Sequence, residues 1–210
     1  MIDGLLKDKI DPMWEAMSTP LVKAGLTPNQ VTATGLILII LTSLAYLWHG
    51  SEVIFGLTLV VAFAFDALDG AVARRTGLSS KSGGYFDAMV DRYQELAVLV
   101  ALALAHDLWA LALACFSGSV ITSYAKARTA IEMPVSNTDW PDFFERMERV
   151  IYICAMLLLA GLLGEWVIIG GLAGFALLSH ATAFQRAQRA FTMLREADES
   201  AKSQETTDPD

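Results

Sequence analysis

The sequence predicts an all-α polytopic membrane protein in which six transmembrane helices follow a juxtamembrane amphipathic helix. Hydrophobic residues make up 54% of the 210 residues and charged residues only 18%, whereas a soluble domain carries about 25% charged residues. The mean hydropathy is +0.46, and long stretches of the chain carry no charge. Several of these stretches approach the roughly 20 apolar residues needed to cross a bilayer, so we predict membrane helices.

The positions of Lys and Arg test the number of spans independently. The turns at 49–52, 106–107 and 164–165 contain no Lys or Arg, and all fifteen Lys and Arg lie elsewhere, in the terminal segments, the other loops or near the start of the third span. Because basic residues stay on the cytoplasmic side, we expect a multi-pass protein of the cytoplasmic (inner) membrane with both termini inside. The predicted spans are 31–48, 53–73, 85–105, 108–127, 150–163 (beginning earlier, near Arg146) and 166–184.

The two ends of the chain are polar but differ in pattern. Residues 1–26 mix apolar and charged side chains at helical spacing, as in an amphipathic helix on a membrane surface, and they lack the apolar core of a signal peptide. Residues 27–192 form the predicted transmembrane domain. Residues 193–210 are polar and acidic, and we expect them to be a disordered cytoplasmic tail.

Charge and cysteine content exclude two further classes. The formal net charge of −8 argues against a nucleic-acid-binding protein, which needs a basic face. Cys115 and Cys154 both lie inside apolar runs, so they form neither a disulfide framework nor a zinc site. We expect both thiols to be buried as small hydrophobic groups.

The most informative residues are four acids inside predicted spans. Asp66 and Asp69 are three residues apart, and Asp87 and Asp91 are four apart, so each pair is predicted to share a helix face. An unpaired Asp at the centre of a membrane helix costs about 2.5–3.5 kcal/mol, and a rim of two arginines cannot neutralise four carboxylates. Oxygen-only ligands select hard cations, Mg²⁺ before Mn²⁺ or Ca²⁺, and four carboxylates on two helices suit two ions about 3.5–4 Å apart.

The four aspartates belong to a longer motif. Residues 66–91 read D-x2-D-G-x2-A-R-x8-G-x3-D-x3-D, which resembles the signature of the CDP-alcohol phosphatidyltransferases at all eight fixed positions. The fold of that family, six transmembrane helices after a juxtamembrane helix, agrees with the spans predicted from hydropathy. The eight positions are Asp66, Asp69, Gly70, Ala73, Arg74, Gly83, Asp87 and Asp91.

The resemblance implies a reaction. A CDP-linked lipid, CDP-diacylglycerol or archaeal CDP-archaeol, would transfer its phosphatidyl group to an alcohol and release CMP, with two Mg²⁺ ions as cofactor and Mn²⁺ as a possible substitute. It implies that Asp66, Asp69 and Asp87 bind metal. Asp91 would bind the second ion and also act as the base that takes a proton from the attacking hydroxyl. A homodimer is implied by the family alone.

The resemblance also implies contacts with the CDP lipid on the cytoplasmic side. Gly70 and Ala73 would let the nucleotide approach the helix closely, and Arg74 would meet its phosphates. Residues 27–32 (TPNQVT) resemble the family's opening to the first span, and they are explained as well by a helix start with Thr27 as N-cap. The full predicted set is Asn29, Gln30, Val31, Thr32, Gly70, Ala73, Arg74, Ser80 and Gly83.

A second group of basic residues bears on the acceptor. The segments SYAKAR (123–128) and ERMER (145–149) place cations at the predicted cytoplasmic mouth. Positive-inside flanking explains any one of them, but several beside a carboxylate-rich mouth favour a phosphorylated polar alcohol. The segments resemble those of phosphatidylinositol-phosphate synthases, where such cations bind the phosphate of inositol phosphate. The residues carried over are Lys126, Arg128, Arg149 and Arg146.

The acceptor and the class of protein keep alternatives. The chain departs from that subgroup at Thr129 and Ala130, where Ala-Glu is usual, and in the linker 133–142. A phosphatidylglycerophosphate or phosphatidylserine synthase would differ only in its acceptor. A small ion or solute transporter could also use intramembrane carboxylates, but the acids lie towards one side of the membrane rather than at the midplane, where transporter sites usually lie.

Overall fold

The computed structural model describes residues 2–135 and 143–205, with side chains described for 12–135 and 143–200. Within these ranges the chain forms eight α-helices and no strand, which confirms the all-α class. The helices are α1 (Ile2–Lys23), α2 (Pro28–His49), α3 (Glu52–Asp66), α4 (Leu68–Thr76), α5 (Lys81–His106), α6 (Trp109–Glu132), α7 (Arg146–Leu163) and α8 (Trp166–Glu205).

Four stretches of the described chain are long and apolar enough to cross a membrane: α2, α3 continued by α4, α6 and α8. The outer face of α2 shows the character of their surfaces, since Ile37, Leu41 and Leu44 are 55%, 56% and 57% exposed. Contiguous apolar surface of this kind marks a membrane or partner contact. The two remaining long helices pack among the four, α5 against α2 and α6, and α7 against α3 and α8.

The core lies between the helices and is built from aromatic and aliphatic side chains. Tyr46 on α2 stacks on Phe55 on α3 with ring centroids 4.4 Å apart. Close approach of α7 and α8 depends on Gly171, where an added Cβ would lie 2.5 Å from Met156 Sδ. The two cysteines are buried free thiols, as predicted from their apolar surroundings.

The predicted second span is interrupted at Ala67, between α3 and α4. Asp66 is the last residue of α3 and Asp69 lies in the first turn of α4, so a one-residue turn separates the helices that carry the two acids. Ala67 keeps right-handed helical dihedrals (φ −60°, ψ −8°). Beyond the interruption, Val72 packs with Val31 in a small cluster separate from the main core.

The terminal segments are helical. α1 packs against α4, where Arg75 Nη1 donates to the carbonyl of Glu15 at 2.5 Å and to the hydroxyl of Thr19 at 2.7 Å. At the other end α8 continues to Glu205, whereas composition predicted a disordered tail from residue 193. An exposed i,i+4 ion pair of Arg195 with Glu199 supports that helix, and residues 206–210 lie outside the described range.

Candidate active site

Three of the four predicted aspartates converge. Carboxylate oxygens of Asp66, Asp87 and Asp91 all lie within 4.8 Å of one another. Asp87 and Asp91 are one turn apart on α5, and Asp66 reaches them from the end of α3. Asp66 and Asp91 are buried, 2% and 8% exposed, and Asp87 is half-buried. Three carboxylates at this separation repel one another, so a cation or a bound proton must offset their charge.

The position of Asp66 depends on a glycine of α2. A Cβ built on Gly35 would lie 2.6 Å from Asp66 Oδ1, 2.9 Å from Asp66 Cβ and 3.1 Å from Asp66 Cα. The backbone of α2 therefore presses directly against the carboxylate. No motif in the sequence singles out Gly35, because its role depends on how α2 crosses α3.

Gln94 also holds Asp66 and was not predicted. It is completely buried, and its side-chain amide donates to Asp66 Oδ1 at 2.8 Å. A group that binds the outer oxygen of a metal ligand fixes its orientation. The spacing along the sequence could have predicted this residue, because Gln94 follows Asp91 by three residues and so shares its helix face.

Asp69 lies at the edge of the cluster of three, with its carboxylate beside that of Asp87 and near the start of α2. Thr32 donates its hydroxyl to Asp69 Oδ2 at 2.6 Å and also lies 3.1 Å from the carbonyl oxygen of Pro28. Thr32, predicted as a contact to the CDP lipid, is thus also an orienting partner of Asp69.

A cleft of about 260 Å³ opens between the starts of α2 and α5 and helix α4. Asp69 and Asp87 both line it, so the cleft and the acidic cluster share Asp87. Ser80 caps α5 by accepting a hydrogen bond from the backbone N–H of Gly83 at 3.0 Å. The lining includes most of the predicted CDP-lipid contacts: Asn29, Thr32, Gly70, Ala73, Arg74, Ser80 and Gly83.

Two predicted CDP-lipid residues are placed elsewhere. Gln30 completes a capping box in which its side chain accepts from the backbone N–H of Thr27 at 2.9 Å and the Thr27 hydroxyl accepts in return. Val31 is completely buried with Leu68 and Val72. The helix-start explanation of TPNQVT is confirmed, and within the described chain these two side chains do not line the cleft.

The predicted acceptor cations do not share one set of partners. Arg149 is 2% exposed and donates to Glu95 at 2.7 Å. Arg128 is exposed and pairs with Glu132 at 2.5 Å. Lys126 is half-buried on α6. Arg146 instead enters the acidic cluster, with Nη2 lying 2.7 Å from Asp66 Oδ2 and 2.7 Å from Asp91 Oδ1.

Two further arginines, one buried and one half-buried, connect the helices beside the site. Arg186 on α8, 5% exposed, donates to the carbonyl of Thr122 at 2.8 Å and to Glu145 at 2.9 Å. Arg92 on α5 donates to the hydroxyl of Ser123 on α6. The sequence predicted only that both arginines lie on the cytoplasmic side of the membrane. Their contacts depend on the packing of α5, α6 and α8.

The residues of the cluster fit a divalent cation. All three converging side chains offer oxygen and none offers nitrogen or sulfur, the donor set of hard cations. Asp91 Oδ1 is buried and accepts no hydrogen bond of acceptable geometry within the described chain, although the guanidinium of Arg146 lies 2.7 Å from it.

Comparison with known proteins places the chain in a family. The family model for CDP-alcohol phosphatidyltransferase matches residues 25–181. The chain is 33% identical over 187 residues to archaetidylinositol phosphate synthase of Pyrococcus horikoshii, with 88% of this chain and 94% of the relative covered. It is 29% identical over 194 residues to phosphatidylinositol phosphate synthase of Mycobacteroides abscessus, with 88% and 87% covered.

Solved structures agree with the sequence comparison. Phosphatidylinositol phosphate synthase of Mycobacterium tuberculosis with CDP-DAG bound has a TM-score of 0.75 and 26% identity, over 86% of this chain and 94% of that one. The same enzyme with manganese and citrate has a TM-score of 0.74 and 26% identity, over 85% and 89%. The protein described here is therefore an integral membrane enzyme that belongs to the CDP-alcohol phosphatidyltransferase family.

Proposed function

We propose that this enzyme transfers the phosphatidyl group of a CDP-linked diacyl lipid to inositol phosphate and releases CMP. The observation that carries the proposal is similarity along nearly the whole chain to synthases of inositol-phosphate lipids from archaea and bacteria. A solved structure of one such synthase contains CDP-DAG. In this chain, residues of the 66–91 motif line a cleft that contains an arginine, two carboxylates and several glycines.

The membrane arrangement we propose has six spans. α5 has 26 residues and α7 has 18, lengths of about 39 and 27 Å at 1.5 Å per residue, close to the ~30 Å hydrocarbon core. Both pack among the four apolar helices, with their charged residues towards the ends that carry the site. Residues 27–192 form the catalytic domain, α1 lies on the cytoplasmic surface, and the site opens to the cytoplasm, as the distribution of Lys and Arg predicts.

Four aspartates form the proposed metal site. Asp66, Asp69, Asp87 and Asp91 would hold two Mg²⁺ ions, with Asp87 shared between the cluster and the nucleotide cleft. Bound divalent ions supply positive charge that offsets the charge developing on the leaving CMP.

The protein's own groups account for the other steps. The cleft holds the CDP group, and Arg74 faces its phosphates. Lys126, Arg128, Arg149 and Arg146 form the proposed acceptor-phosphate site and orient the hydroxyl. Asp91 accepts the proton of that hydroxyl as the new O–P bond forms and the P–O bond to CMP breaks. CMP then leaves with the electron pair of the broken bond.

The first experiment is CMP release by the purified full-length protein with CDP-diacylglycerol and Mg²⁺. Acceptors are supplied singly: inositol phosphate, glycerol phosphate, serine and free inositol. Release with inositol phosphate alone supports the proposal. Release with glycerol phosphate or serine instead would keep the family reaction and reject the acceptor, and no release with any acceptor and either lipid donor would reject the proposed reaction.

Asp91→Asn and Asp107→Asn are matched variants for the role of the base. Asp91→Asn is expected to lose at least ~100-fold in CMP release while CDP-lipid binding is retained, because a general base typically contributes 10²–10⁴-fold. Asp107 ends the same helix with φ 55°, a conformation that Asn tolerates well, so its amide variant should keep full activity. Wild-type turnover by Asp91→Asn would remove Asp91 as the base.

A second donor is favoured by a specific observation. The Pyrococcus relative is named an archaetidylinositol phosphate synthase and matches this chain at 33% identity, which points to CDP-archaeol as an alternative donor. The assay is therefore run with diacyl and ether CDP lipids in parallel, and the ratio of kcat/KM values identifies the preferred tail.

A further inference from the structure

We propose that Arg146 is a built-in counter-cation of the acidic cluster, which a divalent ion displaces when it binds. The inference rests on the proposed metal site and adds a competition at that site. It assigns Arg146 a state separate from the acceptor-phosphate contact predicted for it.

The geometry around Arg146 Nη2 carries the proposal. Three oxygens from two helices converge on this one nitrogen: Asp66 Oδ2 at 2.7 Å, Asp91 Oδ1 at 2.7 Å and Gln94 Oε1 at 2.6 Å. An Nη group has two hydrogens, so it cannot donate to all three. A point surrounded by more acceptor oxygens than the donor has hydrogens is better suited to a metal ion, which has no such limit.

Exclusion follows from distance. A Mg²⁺ ion bound by Asp66 Oδ2 and Asp91 Oδ1 would lie about 2.1 Å from each oxygen. The nitrogen of Arg146 already lies 2.7 Å from the same two atoms. The ion and the guanidinium would then lie less than about 5 Å apart, and two cations at that separation in a buried site repel each other strongly, so binding of the ion displaces the guanidinium.

The guanidinium of Arg146 is incompletely hydrogen-bonded, so a metal ion can displace it from the cluster. Its Nε is buried without a hydrogen-bond partner in the described chain, and its side chain is 29% exposed. Arg146 is also the first residue of α7, where the helix dipole disfavours a cation. Arg149, one turn along, is the contrast: it is 2% exposed and held by Glu95, so it has no comparable route out.

Gln94 serves both states. Its Nε2 holds Asp66 Oδ1 while its Oε1 accepts from Arg146. When Arg146 leaves, the bond to Asp66 persists, and the carboxylate keeps its orientation for the ion. The released guanidinium then lies at the mouth, where an acceptor phosphate would meet it.

The test is Mn²⁺ binding to the full-length protein, followed by the electron paramagnetic resonance signal of free Mn²⁺, without CDP lipid or acceptor. Arg146→Gln removes the competing guanidinium and is expected to lower the Kd for Mn²⁺ by about tenfold or more. In the wild type the ion must break the charged hydrogen bonds of Arg146 before it binds, and each of these contributes to the stability of the metal-free state. Arg195→Gln removes the same charge from an exposed pair on α8 and should leave the Kd unchanged. An unchanged or higher Kd in Arg146→Gln would overturn the proposal.

Failure of the metal site itself is separately visible. Asp66→Asn and Asp91→Asn should raise the Kd for Mn²⁺; if neither does, the proposed metal site is rejected along with this inference. If Arg146→Gln does not fold, phenylglyoxal labelling of the wild-type protein gives the answer. Mapped by mass spectrometry, modification of Arg146 should accelerate when Mg²⁺ is added, and a rate unchanged or slowed by Mg²⁺ contradicts displacement.

Discussion

Gly35→Ala provides a sharp test of how the fold positions the metal site. The added methyl would lie 2.6 Å from Asp66 Oδ1 and 2.9 Å from Asp66 Cβ, whereas comfortable contacts begin near 3.5 Å. Asp66 or α2 must therefore move by about 0.9 Å to relieve the overlap. Ligand distances in metal sites tolerate only about ±0.2 Å, and a displacement of about 1 Å can cost 10²-fold in rate.

We expect Gly35→Ala to lower kcat/KM for CMP release by about 100-fold and to raise the Mg²⁺ concentration needed for half-maximal activity. Its effect on stability should be smaller. Overpacking typically lowers the free energy of unfolding by about 1–3 kcal/mol, but replacing Gly by Ala within a helix raises it by about 0.8–1 kcal/mol. The thermal unfolding midpoint in detergent should therefore fall modestly while activity falls sharply.

Gly170→Ala is the matched control. A Cβ there meets nothing within 4 Å, and Gly170 lies within α8, so the variant should be slightly more stable and fully active. Wild-type kcat/KM and Mg²⁺ dependence in Gly35→Ala would refute the claim that α2 sets the position of Asp66. A collapse of stability with unchanged specific activity in the folded fraction would refute it as well.

Three other predictions concern orientation, the acceptor and the buried ion pair. Thr32→Val removes the hydroxyl that binds Asp69 and should raise the half-maximal Mg²⁺ concentration about tenfold; an unchanged Mg²⁺ titration would contradict this role. Arg128→Ala should raise KM for a phosphorylated acceptor far more than KM for the CDP lipid, and equal effects would remove Arg128 from the acceptor site. Arg149→Met removes the closer of the two arginines that pair with buried Glu95, leaving Arg92 at 3.5 Å, and should cost up to about 3–5 kcal/mol of stability, measured by unfolding. Adding Glu95→Leu should restore stability but not the acceptor KM, and a normal KM in the double variant would leave Arg149 with a structural role only.

Composition and local spacing determined the class, the family and the identity of the four aspartates. Apolar stretches and the sorting of Lys and Arg are properties of contiguous segments, so they can be counted without a structure. The i,i+4 spacing of Asp87 and Asp91 predicted their shared face correctly, because both lie within the uninterrupted helix α5. Asp66 and Asp69 instead lie on either side of a one-residue interruption at Ala67, which no proline or glycine in the preceding residues predicts.

Only the tertiary structure decided which side chains meet at the site. Arg146 reaches Asp66 across 80 residues, and Thr32 reaches Asp69 across 37. The periodicity of one helix shows which of its faces is polar but not which residue of another helix will face it. The packing angles and close approaches of the helices settle that, as Gly35 does where α2 presses against Asp66. The sequence thus determined which functional groups this enzyme carries. The crossings of its helices determined that Arg146, Gln94 and Gly35 all contact Asp66.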